Sequence, residues 1–185
     1  MAIRNTRLAT AMHEAGHAVA HLAKPPAPNI RSISVVEQRE ALLGLVDTDL
    51  RWQMYMTHSP ASAGRIEELR RLAWHDIVVC LAGPLAEFRW RRHSRWAIKL
   101  NADSIAKQCL DLPLPNSYCD EAMVRSRLCW AYPGEECDRF VTAWWETEEL
   151  VATHWRAITS IGRTLNNRGM MTGDELETEW SRFAF

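Results

Sequence analysis

The segment from Thr6 to Ala23 places apolar residues at helical spacing and ends just before two prolines. The apolar residues are Leu8, Met12, Ala15, Val19 and Leu22. At about 100° per residue they form one stripe of an α-helix. Pro25 and Pro26 end this helix, because proline lacks a backbone N–H and clashes with the preceding turn. We therefore predict an amphipathic helix whose apolar stripe must be covered by the rest of the fold.

The other edge of this helix carries the sequence His13-Glu14-Ala15-Gly16-His17. Residues four apart lie one above the other on a helix, so both imidazoles can reach one ion, and imidazole nitrogen suits zinc. Zinc lowers the pKa of a water it holds to about 7, and Glu14 can accept the proton and pass it to a leaving amine. The motif predicts His13 and His17 as zinc ligands and Glu14 as general base. We interpret His21, one turn later, as a bystander rather than a ligand.

A catalytic zinc site needs three protein ligands and an open position for water. No third histidine follows the motif at short spacing, so we expect an acidic ligand from a distant part of the chain. The candidates are Asp76, Glu87 and Asp103. For each residue taken alone, a carboxylate on a helix surface or at a helix cap is the simpler interpretation, and the sequence does not choose among the three.

The rest of the sequence predicts a mainly α-helical domain with a small β element beside the motif helix. Residues 29–36 alternate and are rich in β-branched side chains, which favours a strand, and residues 41–46 are its expected partner. A helix over 61–92 should be kinked or split at Gly83-Pro84.

Further helices are expected toward the end of the chain. They cover residues 101–112, 118–132 and 135–167. Thr172 and Glu175 predict a capping box for a last helix, because a threonine followed three residues later by a glutamate can satisfy two backbone N–H groups.

Length and composition narrow the class of protein. With 185 residues we expect one domain, with a zinc-site half at 1–112 and a helical part at 113–185. A net charge of −1 argues against a nucleic-acid protein, which normally shows a basic face. Five cysteines without a CxxC pair favour reduced thiols and a cytoplasmic location. No apolar run is long enough to cross a membrane or to form a leader peptide.

Five segments, in order along the chain, carry a resemblance to a known family. They are HEAGHAVAHL at 13–22, IRSISVVEQREALLG at 30–44, VVCLAGPLAEF at 78–88, LNADSIAKQC at 100–109 and MMTGDEL at 170–176. Together they resemble the peptidase unit of the FtsH-type zinc proteases, the membrane-anchored AAA proteases. Two positions depart from the family pattern: Pro84 stands where the family has arginine, and Ala102 where it has asparagine.

The resemblance implies roles for individual residues. His13 and His17 match the zinc ligands, Glu14 the catalytic glutamate and Asp103 the third ligand. Glu87 matches a glutamate that is not a direct ligand, which implies that it is a partner of the ligands.

The resemblance also implies a substrate site. In the family an edge strand takes the substrate as an added strand, which implies that the substrate-binding residues are Ile33, Ser34, Val35 and Val36.

The expected function is that of a zinc-dependent metalloendopeptidase acting on polypeptides. The chain has no GxxxxGK[ST] phosphate loop, so we expect it to act without ATP, and an ATPase partner has no support. Related peptidase units form rings, which implies a homo-oligomer. Two alternatives stay open: a zinc-binding adaptor or assembly module with little or no catalysis, and a metal hydrolase acting on substrates other than peptides.

Overall fold

The computed structural model describes residues 2–24, 29–38, 41–48, 63–91 and 119–183. Within these ranges the chain forms six α-helices and one three-stranded sheet. In chain order the elements are α1 (Ala2–Ala23), β1 (Ile30–Gln38), β2 (Ala41–Thr48), α2 (Ala63–Trp90), α3 (Asp120–Ala131), α4 (Glu136–Thr153), α5 (Trp155–Arg168), β3 (Met170–Thr172) and α6 (Gly173–Ser181). The predicted class, mainly α with a small β element, is confirmed. In this part of the chain, no helix is both long and apolar enough to cross a bilayer.

Helix α1 lies at the centre of the fold, packed against α2, α5 and the sheet. Its buried face is built from small residues, with Ala11, Ala15 and Ala18 fully buried. At Gly16 an added Cβ would lie 2.5 Å from the carbonyl oxygen of Ala82 in α2, closer than real side chains come. The backbones of α1 and α2 therefore approach closely enough for α2 to form a wall beside the motif histidines.

Helix α2 runs from Ala63 to Trp90 through Pro84, so the helix that was predicted to be kinked or split at Gly83-Pro84 is not split. Proline costs a helix interior about 3 kcal/mol, mostly through a lost hydrogen bond and a clash with the preceding turn. The neighbouring residues Ala82, Leu85 and Ala86 are all buried in the core beside α1. Burial of this face stabilises the helix enough to offset the local cost.

The sheet is antiparallel with the order β2-β1-β3. Strand β1 is therefore the middle strand, and the expectation that Ile33 to Val36 form a sheet edge is wrong. Ile33 faces Val46 of β2 and Met171 of β3, and the N–H of Val35 donates to the carbonyl of Gly169 at 2.8 Å. The outer strand on the side away from β3 is β2.

The predicted helix over 135–167 is two helices, α4 and α5, separated at His154. Helix α4 packs against α2, whereas α5 packs against α1, so the chain must turn between them. Gly169 ends α5 in the left-handed conformation, at φ 85°. The short strand β3 follows, and the predicted capping box of Thr172 and Glu175 at the start of α6 is confirmed.

Candidate metal centre

His13 and His17 project from the same face of α1, as their spacing predicts. Their ring centroids are 4.7 Å apart and the ring planes lie at 78° to each other. One donor atom each from His13, Glu14 and His17 lie within 4.8 Å of one another, the one such group in the described residues. This group could hold a metal ion.

Asp120, the first residue of α3, brings a second carboxylate to the two histidines. Its Oδ2 lies 3.0 Å from Nε2 of His13 and 3.4 Å from Nε2 of His17. Two ligands of one tetrahedral zinc, with bonds of about 2.0–2.1 Å, are about 3.3 Å apart. Asp120 Oδ2 therefore lies at about the distance that separates two zinc ligands from each of the two imidazole nitrogens.

Sequence reasoning did not find Asp120. Asp120 lies 107 positions after His13 in the sequence. An acidic residue in the first turn of a helix is usually explained by its favourable interaction with the helix N-terminus. The aspartate implied by the resemblance, Asp103, lies outside the described residues. Asp76 forms an ion pair with Arg127, with Oδ2 to Nε at 3.4 Å, which accounts for its carboxylate without a metal.

Each histidine is oriented through its other ring nitrogen. Nδ1 of His17 donates to the carbonyl of Val79 at 2.7 Å. Nδ1 of His13 lies 3.3 Å from Oε2 of Glu87. Both contacts leave Nε2 facing Asp120, the arrangement in which an outer partner fixes ring orientation and tautomer. Glu87 thus lies where a partner of a ligand is expected.

Two glycines give the site its room. An added Cβ at Gly83 would touch Nε2 of His17 and lie 2.5 Å from its Cε1 and 2.8 Å from Cδ2 of His13. An added Cβ at Gly44 of β2 would overlap the carboxylate of Glu14. The imidazoles therefore lie directly on α2, and the Glu14 carboxylate lies directly against the backbone of β2.

The electrostatics of the site favour positive charge at its centre. Burial opposes the charged form of His13, but hydrogen bonds to Asp120 and Glu87 outweigh it and raise the pKa of His13 to about 9. Burial would also raise the pKa of Asp120, yet its hydrogen bonds to His13 and His17 lower the pKa well below its usual range. Without a metal, a proton on His13 balances the Asp120 carboxylate, and a divalent cation would compete with that proton.

No protein-family model and no curated protein matches this sequence. The interpretation of the centre therefore depends on its geometry and chemistry. Two imidazole nitrogens and one carboxylate oxygen are the donor set of several catalytic zinc sites, and these residues fit zinc.

Glu14 lies next to the two histidines, and one of its carboxylate oxygens belongs to the group that could hold a metal ion. It is only 7% exposed, and burial raises the pKa of its carboxyl, partly offset by His17 and His13. Asp120 also offers a carboxylate oxygen that approaches Nε2 of both histidines.

His21 does not join the centre. Its Nδ1 lies 3.2 Å from Nε2 of His75, and both rings are buried. Burial lowers the pKa of His21 to about 3 and that of His75 to about 4, so the pair is neutral near pH 7. This contact is consistent with the interpretation of His21 as a bystander.

The residues expected to bind substrate lie differently from the expectation. Ile33 and Val35 are buried, and Ser34 pairs with β2 on one side and β3 on the other. An extended peptide cannot add to backbone groups that already have strand partners. Among the described residues, β2 borders Glu14 and has a strand partner on one side only.

Proposed function

We propose that this protein is a zinc-dependent metallopeptidase of the FtsH type that hydrolyses peptide bonds without ATP. The observation that carries the proposal is the position of Asp120 Oδ2, within 3.4 Å of Nε2 of both motif histidines. An HExxH sequence arises by chance, but a third donor from a distant helix at ligand spacing is the arrangement a catalytic zinc requires. We propose His13, His17 and Asp120 as the ligands.

When bound, zinc supplies Lewis acidity that lowers the pKa of water toward about 7 and polarises a substrate carbonyl. Glu14 accepts the proton of the attacking water and delivers it to the leaving amine. Burial raises the pKa of Glu14, which makes it a stronger base than an exposed glutamate and a competent acid in the second step. Glu87 and the carbonyl of Val79 hold the two imidazoles in place during this proton transfer.

An extended polypeptide is the substrate that the surroundings of Glu14 suit. A peptide adding to the outer side of β2 would run past Gly44, whose backbone borders the Glu14 carboxylate. We therefore move the proposed strand addition from Ile33–Val36 to β2. Such a site selects loose or unfolded polypeptides, because a folded substrate does not offer a free strand.

The test combines metal analysis with proteolysis of an unfolded substrate such as casein. We expect the purified protein to hold one zinc per chain and to cleave casein, and a chelator to abolish cleavage. Glu14→Gln should keep the zinc and lose about 10²–10⁴-fold in rate, because only the proton acceptor is removed. Glu67→Gln on α2, where the side chain is 79% exposed, is the matched control and should leave both unchanged.

The same experiment separates the proposed peptidase from both alternatives. A zinc-binding adaptor would hold zinc and show no cleavage in any variant. A hydrolase of other substrates would hold zinc and leave casein intact, yet still depend on Glu14 for its own reaction. Zinc binding without cleavage of any polypeptide would overturn the proposed activity, and absence of stoichiometric zinc would overturn the proposed centre.

A further inference from the structure

The carboxylate of Glu87 is shared between a metal-centre histidine and an arginine. Its Oε2 lies 3.3 Å from Nδ1 of His13, and its Oε1 accepts from both Nε and Nη2 of Arg91, at 2.7 and 2.6 Å. Arg91 follows the last residue of α2, one turn after Glu87, and its backbone N–H donates to the Glu87 carbonyl at 2.9 Å. A continuous series of contacts therefore runs from Arg91 through Glu87 to His13.

We propose that Arg91 is a positioning residue of the metal centre, which fixes the Glu87 carboxylate and through it the ring of His13. This inference rests on the proposed zinc site. Arg91 touches neither a ligand atom nor a reacting group, so its effect must pass through Glu87. The carboxylate partner of a metal-bound histidine sets the ring's orientation and tautomer, and here the arginine decides which oxygen that carboxylate presents.

A second ion pair in the same protein shows what is particular to this one. Arg139 contacts Glu135 with the same four-residue spacing, and both its Nε and Nη2 lie 2.9 Å from Oε2. The Glu135 side chain is 59% exposed, whereas that of Glu87 is 25% exposed. Exposed pairs of this kind have small effects because solvent and salt screen them. The Arg91 pair differs because its carboxylate has a second oxygen facing a candidate ligand.

The two motif histidines depend on their partners to different degrees. The backbone carbonyl of Val79, inside a packed helix, holds His17 and cannot swing away. A flexible side chain holds His13, whose own side chain is more exposed than that of His17, at 22% against 10%. The orientation of His13 is therefore the weaker part of the site, and Arg91 acts on that part.

A direct effect of the Arg91 charge would change the zinc affinity in the opposite direction from a positioning effect. Arg91 is a cation near a cation site, so its removal would tighten zinc binding if long-range repulsion dominated. The Arg91 side chain is 50% exposed, and water and salt screen its charge at that distance. We therefore expect loss of orientation to dominate, and the sign of the change distinguishes the two effects.

The experiment is a double-mutant cycle on the zinc dissociation constant, measured by competition with a chromophoric chelator. We expect Arg91→Ala to weaken zinc binding about 3- to 10-fold and Glu87→Ala about 10- to 100-fold. The double variant should bind no more weakly than Glu87→Ala alone, because Arg91 acts only through that carboxylate. Arg91→Lys should recover part of the loss, since an ammonium can hold one oxygen but not in the planar fork of a guanidinium.

Arg139→Ala is the matched control and should leave zinc affinity unchanged. Tighter or unchanged binding in Arg91→Ala would overturn the proposal, as would an equal loss from Arg91→Ala in the presence and absence of Glu87. Absence of zinc binding by the unaltered protein would instead overturn the metal centre itself, so the two failures are distinguishable.

Discussion

Replacement of Gly83 by alanine should separate the stability of the fold from that of the metal centre. Gly83 lies inside helix α2, where alanine is favoured over glycine by about 1 kcal/mol. The added Cβ would lie 2.5 Å from Cε1 of His17 and 2.8 Å from Cδ2 of His13. Carbon atoms pack best at about 3.5–4.0 Å, so the rings would have to move by about 1 Å.

The cost of that movement depends on whether metal is bound. In the metal-free protein the rings can rotate, at the expense of contacts such as the His17–Val79 hydrogen bond, worth about 1 kcal/mol. The stabilisation from alanine in the helix and the loss of these ring contacts nearly cancel. We therefore expect the free energy of unfolding to change by less than about 1–2 kcal/mol. With zinc, ligand distances tolerate only about ±0.2 Å, so a displacement of about 1 Å removes at least one ligand. We expect zinc affinity to fall about 100-fold or more.

Thermal unfolding with zinc and with a chelator measures both the stability of the metal-free fold and the stabilisation that zinc binding adds. At a free zinc concentration of about 100 times the dissociation constant, zinc should stabilise the unaltered protein by about 2.7 kcal/mol. For a chain of this size that raises Tm by roughly 5–10 °C. Gly83→Ala should lose nearly all of this rise while keeping a similar Tm in chelator.

The matched control is Gly162→Ala in α5. There an added Cβ would lie 2.7 Å from Sδ of the buried Met12 and 3.3 Å from the carbonyl oxygen of Ala11, and neither residue is a proposed ligand. This variant should keep the zinc-dependent rise. A full zinc-dependent rise in Gly83→Ala would refute the reasoning, because it would mean that the rings do not lie against α2.

Three further predictions follow from other parts of the structure. Asp120→Asn should weaken zinc binding at least about 100-fold in a competition titration, because the neutral amide is a poor zinc ligand; unchanged affinity would exclude Asp120 as a ligand. In chelator, the stabilisation that comes from the raised pKa of His13 should be complete below pH 6.5 and lost as the pH rises through about 9. Urea unfolding should show that the free energy of unfolding falls by at most about 3 kcal/mol over that range. Zinc affinity should increase over the same range, because fewer His13 side chains carry a proton that zinc must displace. A stability that rises with pH instead would contradict the raised pKa of His13. Thr172→Ala should remove the capping box of α6 and lower the free energy of unfolding by about 1 kcal/mol without changing zinc affinity.

The sequence predicted the parts of the site that one helix determines. Helical geometry alone brings His13, Glu14 and His17 together, so their spacing in the sequence is enough to predict that they lie side by side. Asp120 comes from another helix, and no local pattern encodes a distance between two helices. The only sequence signal was an acidic residue at the start of a predicted helix, a feature shared by most helix N-termini.

The same distinction explains the errors in the fold. Alternation and β-branched residues predicted strand β1, but strand neighbours are a property of the whole sheet. Its second neighbour, β3, is three residues long, too short for a periodic signal. The separation of α4 from α5 at His154 was missed because both helices are amphipathic, and the pattern does not show that they pack against different partners.

Three glycines around the motif favour a functional site over the alternative of two histidines that only face solvent. Gly16, Gly44 and Gly83 lie in the interior of a helix, a strand and a helix, where glycine is unfavourable by roughly 0.5–1 kcal/mol each. None of them has a positive φ, so backbone conformation does not require glycine there. Each instead lies where a Cβ would collide with the opposite helix, with Glu14 or with the imidazole rings. Local conflicts of this kind are expected at functional sites: the side chain of Glu14 and the imidazole rings fill the space at Gly44 and Gly83, and the close approach of α1 and α2 fills it at Gly16.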